Sequence, residues 1–256
     1  MTVEPKPALN IQQELFGRKR SALRTYQDLA VGAHGWGALL RYECMQMFLR
    51  GLPGAWGILM RRMAYRRWLG AVGRNVTFGV DVTIRHPHKI RIGDNVVIDD
   101  HCVLDAKGSD NRGIVIGSRV VLGRNSILQC KNGDIELGNE VNIGVNCVVT
   151  SSNRVVIGDK VLIAAFSYLV GGGHDFSRAD MAVMDQARMG LGLRVGAGSW
   201  IGAGAVVLDG LEIGAGSIVG ATSVVNRSLP DDSVAVGSPA RVVRNRRDAE
   251  EGGASS

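Results

Sequence analysis

A six-residue phrase repeats from Val72 to about Val236: an aliphatic residue, a small residue, then a polar turn. Its clearest copies are Ile92-Gly93-Asp94-Asn95, Ile116-Gly117-Ser118-Arg119, Leu137-Gly138-Asn139-Glu140, Ile157-Gly158-Asp159-Lys160 and Ile213-Gly214-Ala215-Gly216. A fixed internal period outranks local propensity, because each repeat buries its apolar side only against its neighbours. Comparable phases recur at positions 72, 92, 116, 137, 157, 195 and 213. The last step is three hexapeptides, so each coil has three short sides; the others add a small insertion, except the long step from 157 to 195. The expected fold is an all-β solenoid, a triangular parallel β-helix of short strands with aliphatic rungs inside. Its turn slots include Asp94-Asn95, Arg124-Asn125, Val145-Asn146, Ala197-Gly198 and Ala203-Gly204, where Asn and Gly tolerate left-handed backbone.

The remaining composition agrees. The 256 residues are 45% hydrophobic, enough for a substantial core, yet only 5% aromatic with 35 glycines, which suits tight coils better than a layered core. No run approaches the roughly 20 apolar residues that span a bilayer. The opening Met1-Thr2-Val3-Glu4-Pro5-Lys6-Pro7 lacks a basic start before an apolar stretch, so no secretory signal is expected. Cys44, Cys102, Cys130 and Cys147 have no metal or redox spacing; Cys102 and Cys147 fall in a small core slot that elsewhere holds Val or Ser. The formal charge of +6 favours an anionic partner, while no nucleic-acid motif accompanies it.

Three regions are expected. Residues 1–70 form a basic, helical appendage, with helices over 36–50 and 55–69 separated by Gly51-Leu52-Pro53-Gly54. In the second helix Trp56, Leu59, Met60 and Met63 share one stripe while Arg61, Arg62 and Arg66 point elsewhere, a pattern suited to a membrane interface or to packing on the solenoid or a neighbouring subunit. Residues 71–244 form the solenoid, interrupted by an excursion at 171–194, and 245–256 form a disordered tail. The expected location is cytoplasmic, with peripheral contact at the inner face of the membrane through residues 36–69 as an option.

The excursion opens with Gly171-Gly172-Gly173-His174-Asp175-Phe176, and a solenoid that ejects about twenty residues from one edge is building a functional loop. These phrases, with Trp200-Ile201-Gly202-Ala203 and the closing Gly237-Ser238-Pro239-Ala240-Arg241, resemble the hexapeptide-repeat acyltransferases, in particular their galactoside and maltose O-acetyltransferase branch. The resemblance covers roughly 72–244 and implies left-handed winding, a homotrimer with active sites between neighbours, and acetyl-CoA as donor. It also implies that His174 is the general base. Imidazole titrates near neutrality, so it can take a hydroxyl proton and return one to a departing thiolate. The tetrahedral oxyanion would need an N–H donor, such as a backbone amide of a glycine-rich coil. Asp175 or Asp185 could fix its tautomer; a surface histidine without a role is the competing reading. By the same resemblance Ala203 and Ala221 line the pantetheine arm, Asn226 and Arg227 lie near its far end, and Arg241 and Arg244 approach the nucleotide phosphates, for which a guanidinium fork is apt.

Other histidines fit less demanding roles. His86-Pro87-His88 reads as turn or subunit-contact chemistry, His101 as a solvated turn residue and His34 as structural. None accompanies His174 at a ligand spacing, so no metal is expected. The acceptor positions depart from the family pattern: Gly144 and Ser152 stand where simple galactoside enzymes place asparagine and aspartate. Asn146 and Asp175 are the candidate acceptor contacts, and Asn142 could serve as well. The reading is an acetyl-CoA-dependent O-acetyltransferase acting on a sugar hydroxyl of a surface polysaccharide or lipid-linked saccharide. N-acetylation of an amino sugar and a non-catalytic scaffold are its rivals.

Overall fold

The computed structural model describes residues 6–7 and 21–248. The repeat period becomes a three-faced parallel solenoid. Coils start at Ala71–Val72, Ile90–Ile92, Ile114–Ile116, Asp134–Leu137, Arg154–Ile157, Leu193–Val195 and Leu211–Ile213, which pair in that order as the first face. The second face runs from Thr77–Phe78 to a terminal hairpin, Ser233–Gly237 with Ala240–Asn245, and the third from Thr83–Arg85 to Val224–Val225. Ile92, Ile116, Leu137, Ile157, Val195 and Ile213 are register partners in successive coils, so the phase read from sequence is the physical stacking register. The fold is consistent with a left-handed β-helix.

Strands of the first face mostly point two aliphatic side chains inward and those of the other faces mostly one, and the rungs Ile98, Leu122, Ile143, Ile163, Ile201 and Leu104, Leu128, Val149, Leu169, Val207 are fully buried. Burying each such side chain stabilises by roughly 2 kcal/mol, which offsets the conformational entropy of so many turns. Cys102 and Cys147 occupy an inner corner shared with Ser126, Ser167, Ala205 and Ser223. Asn95, Asn125, Asn146, Gly198 and Gly204 all have positive φ, as their turn slots require. Where the first face meets the second, the main-chain N–H of Arg74 donates to Asp94, that of Ser118 to Asn139 and that of Asn139 to Asp159, so each coil caps the turn of the coil before it.

The appendage contains α1 (Ala22–Tyr26), continued by a wider helical turn to Val31, α2 (Trp36–Phe48) and α3 (Gly54–Trp68). Most of residues 1–20 lies outside the described residues, as does the tail beyond Asp248; Asn245 closes the hairpin and Arg246–Asp248 follow it. Helix α3 caps the open end of the first coil, where Tyr65 packs edge-on to Phe78 with ring centroids 5.1 Å apart and Trp68 bridges to Tyr42 at 5.6 Å. Arg61, expected on the polar side of this helix, is instead 1% exposed: its guanidinium donates to the carbonyls of Phe78 (3.1 Å), Leu49 (3.1 Å) and Leu52 (2.6 Å). The solenoid end leaves the Phe78 carbonyl without a backbone donor, the breaker turn gives Leu49 only a long bond from the Leu52 N–H (3.5 Å), and one forked cation reaches all three carbonyls.

His86-Pro87-His88 is a turn, as expected. His86 (φ 54°) is buried against the appendage, its N–H donating to the Ala30 carbonyl and its Nε2 lying 3.1 Å from the Asp28 carbonyl. Gly32 makes this approach feasible: its φ is +72°, and a Cβ there would lie 2.2 Å from the His86 ring. His101 is exposed in its turn, 3.8 Å from Asp81, and His34 is exposed beside Asp28 at 3.3 Å.

Candidate active site

The excursion leaves the third face after Tyr168–Gly171 in the fifth coil and returns as the first strand of the sixth, Leu193–Val195. Gly173–His174 pairs antiparallel with Arg188–Gly190, which pairs in turn with Lys6–Pro7 from the chain's start, so His174 stands on a small three-stranded sheet raised from one edge. Two residues that sequence reasoning missed hold this loop. Gln186, buried within it, receives the Arg178 N–H (3.1 Å) and donates to the carbonyls of Arg178 (2.8 Å) and Met181 (3.0 Å). Asp209, in the next coil, accepts the N–H groups of Leu191 (2.8 Å) and Gly192 (2.9 Å), fixing the point of return. Burial raises the Asp209 carboxyl above its usual range, with the two amide bonds pulling the other way. No sequence signal marks Asp209, since an aspartate followed by glycine reads as one more turn.

The imidazole of His174 is exposed, and no hydrogen bond or ion pair reaches it among the described residues. Asp175 accepts the Ser177 N–H at 2.9 Å, a local turn bond that holds its carboxyl below the usual range. Asp185 closes a short helical turn, Val183–Asp185, and is exposed. Neither carboxylate is bonded to the imidazole. Ser152 is buried directly under the root of the loop, where a Cβ at Gly172 would meet its Oγ at 2.3 Å. The Asn153 side chain donates to the Gly190 carbonyl at 3.0 Å. A groove of about 570 Å³ runs beneath the returning strand, lined by Arg154, Leu191, Arg194, Leu211, Glu212 and Ser228. Its arginines are neutralised, Arg154 by a bidentate bond to Glu136 and Arg194 by Glu212.

The remaining candidates lie elsewhere. Asn146, Ala203 and Ala221 sit on the edge between the second and third faces, while His174 rises from the opposite edge of the third face. In the fifth coil those edges, at Phe166 and Gly171, are separated by five residues of extended chain, roughly 17 Å. Asn226 and Arg227 are exposed on the His174 side of the seventh coil, and Arg241 and Arg244 on the terminal hairpin of the second face. One chain therefore brings Ala203 and Ala221 together, and does not bring them to His174 or to Asn146's proposed acceptor role beside it. Asn146, with φ 57°, meets the requirement of its turn.

The edge holding Ala203 has a property of its own. Side chains stacked there shrink from Arg124 through Val145 to Ala165, Ala203 and Ala221, in coils tied by Asn146 N–H to Arg124, Phe166 N–H to Val145, Gly204 N–H to Ala165 and Thr222 N–H to Ala203. In the first coil the equivalent amide, Val80, is capped by Asp100 at 2.7 Å. Alanine cannot do this, and no acceptor for the amides of Ala165 and Ala203 is present among the described residues. The late coils thus offer a bare strip with outward N–H donors, suited to a thin chain carrying amide carbonyls. Phe166 borders it, exposed and in left-handed backbone at φ 62°; the slot requires that backbone in every coil, and a bulky residue is unusual in it. No group of three potential metal ligands occurs among the described residues.

Comparison with known proteins finds the repeat in two segments. A model of the bacterial transferase hexapeptide (six repeats) matches residues 192–227, and one of the hexapeptide repeat of succinyl-transferase matches 71–106. Hexapeptide repeats are thus matched in two segments of the chain, one at the first coils and one at the last. A probable acetyltransferase of Mycobacterium tuberculosis is 34% identical over 132 residues, 52% of this chain and 44% of that protein. Nodulation protein L of Rhizobium meliloti is 41% identical over 111 residues, 43% of this chain and 58% of its own length. The matched region thus spans about half the length of these relatives. The solved structure of AntD, an N-acyltransferase from Bacillus cereus in complex with dTDP and 3-hydroxybutyryl-CoA, superposes with a TM-score of 0.51 at 23% identity, over 76% of this chain and 93% of that one. At that identity the likeness concerns the fold.

Proposed function

We propose that the protein is an acetyl-CoA-dependent O-acetyltransferase acting on a sugar hydroxyl, borne by a surface polysaccharide or a lipid-linked saccharide. The observation that carries this reading is the pairing of one displayed histidine, at the solenoid's long interruption, with a bare, amide-lined strip on the late coils. Relatives named as acetyltransferases support the donor class. The strip fits a pantetheine arm: Ala203 and Ala221 are exposed and add no bulk, and the Ala165 and Ala203 amides can donate to its carbonyls. When bound there, acetyl-CoA supplies an activated acetyl group as a thioester. Arg241 and Arg244 would meet its phosphates, whereas Asn226 and Arg227 lie across the third face from the strip.

His174 Nε2 takes the proton of the acceptor hydroxyl as that oxygen attacks the thioester carbonyl carbon. A backbone N–H of the strip would stabilise the tetrahedral oxyanion. Collapse breaks the carbon–sulfur bond, and the thiolate takes the proton back from the imidazolium. Because His174 and the strip occupy opposite edges of one face, the complete site needs two copies, His174 from one and the strip from the next. A homotrimer provides this arrangement. Exposed Val97, Val121, Leu162 and Trp200 on the second face supply apolar area for it.

The decisive experiment measures thioester consumption by purified protein over matched hydroxy and amino sugars, with mass detection of the product. Ester formation that is lost in His174→Ala supports the proposal. Amide formation alone would replace it with N-acetylation. Turnover undiminished in His174→Ala, or no binding of coenzyme by the wild type, would leave the scaffold reading.

A further inference from the structure

Helix α3 has apolar residues on two faces, one packed on the solenoid and one open. It buries Gly57, Arg61, Tyr65 and Trp68 and turns Trp56, Leu59, Met60 and Met63 outward. Trp56 is 75% exposed. Helix α2 does the same with Trp36 (77% exposed), Leu40 and Met47, which recur at helical spacing. A soluble surface gains nothing by displaying two tryptophans and a run of Leu and Met at one end of a solenoid.

The charges of α3 are of one sign, and the one acidic residue of α2, Glu43, is hydrogen-bonded by the Tyr26 hydroxyl. Helix α3 carries four arginines and no acidic residue. Arg61 is consumed inside, but Arg62, Arg66 and Arg67 are exposed and, with Arg74, Leu59 and Met63, line a groove of about 940 Å³ between the helix and the first coil. Arg74 is paired with Asp94 and Arg62 bonds Asn75, whereas the Arg66 and Arg67 guanidinium groups have no partner among the described residues.

We infer that the outward faces of α2 and α3 form a docking surface for an anionic lipid bilayer, on which the protein lies peripherally. The apolar side chains enter the boundary between headgroups and acyl chains, the tryptophans sit at the headgroup level, and the arginine groove receives lipid phosphates. The charge selects this occupant: a second copy of the chain would bring the same arginines face to face, whereas phosphate-bearing headgroups complement them. None of the described helices is long and apolar enough to cross a membrane, so the contact is one of lying on the surface.

Flotation of the full chain with phosphatidylcholine vesicles, with and without phosphatidylglycerol, tests this without reference to catalysis. The chain should float with the anionic vesicles, less so at high salt, and its tryptophan emission should shift to the blue. Trp56→Ser/Met63→Ser should abolish flotation, and Arg66→Gln/Arg67→Gln should weaken it roughly fivefold for each arginine removed. All four side chains are exposed, and an unchanged thermal transition verifies that the variants fold. Absence of flotation by the wild type, or equal flotation by the variants, overturns the inference. So does a fall in oligomeric mass in Trp56→Ser/Met63→Ser, which would make the face a protein interface. Binding of inorganic phosphate without vesicles would likewise make the groove a site for a free anion.

Discussion

His86 couples the appendage to pH. Its ring is buried between the first coil and the Gln27–Val31 turn, with Nε2 against the Asp28 carbonyl and Nδ1 buried without a partner. A carbonyl only accepts, so the neutral ring carries its hydrogen on Nε2, and a second proton must go to Nδ1, where nothing receives it. Burial, followed by the nearby Lys89 charge, lowers the pKa from 6.5 to about 4. The folded value lies below the unfolded one, so the stabilisation is whole above about pH 6.5 and is lost as pH falls towards 4. A difference of that size corresponds to about 3 kcal/mol at full effect, and roughly 2.5 kcal/mol at pH 4.5. The assay is a series of urea unfolding curves between about pH 7 and pH 4.5 for wild type and His86→Asn, since asparagine accepts the left-handed backbone at this position. The variant should start less stable and have the flatter profile, because carboxylate titration is common to both. Parallel profiles would refute the reasoning, as would a wild type whose stability holds down to pH 4.5.

Three further outcomes are expected. His174→Gln should fold with an unchanged thermal transition and lose about two to four orders of magnitude in kcat, the usual worth of a general base, as read by thioester consumption. Asp209→Asn leaves one of the two amides at Leu191 and Gly192 unanswered and should destabilise the loop by about 1–3 kcal/mol, seen as faster amide hydrogen exchange over 186–192 and a lower kcat. Phe166→Asn relieves a left-handed backbone and should stabilise the fold by about 1 kcal/mol while raising KM for the donor or acceptor; unchanged kinetics would remove Phe166 from the site.

Sequence and tertiary structure contributed differently. The stacking register, the left-handed turns at Asn95, Asn125 and Asn146, and the interruption bearing His174 are local or periodic properties, and the sequence alone determines them. A hexapeptide period permits one way of burying its aliphatic rungs, so pattern and register coincide. What only the tertiary structure decided depends on which residues of distant coils meet. Asp209 reaches back to the end of the excursion, the Ala165, Ala203 and Ala221 edge loses its caps through vertical stacking, and His86 meets a carbonyl that lies 58 positions earlier. The same holds for α3, whose amphipathic pattern was legible while its direction was not. The end of the solenoid offered the bare Phe78 carbonyl alongside an aromatic surface and the turn before α3 offered those of Leu49 and Leu52, and with Arg61 bonded to all three the apolar stripe faces outward. Burial of backbone polar groups without donors costs more than exposing a few apolar side chains, and that balance is set by neighbours far along the chain.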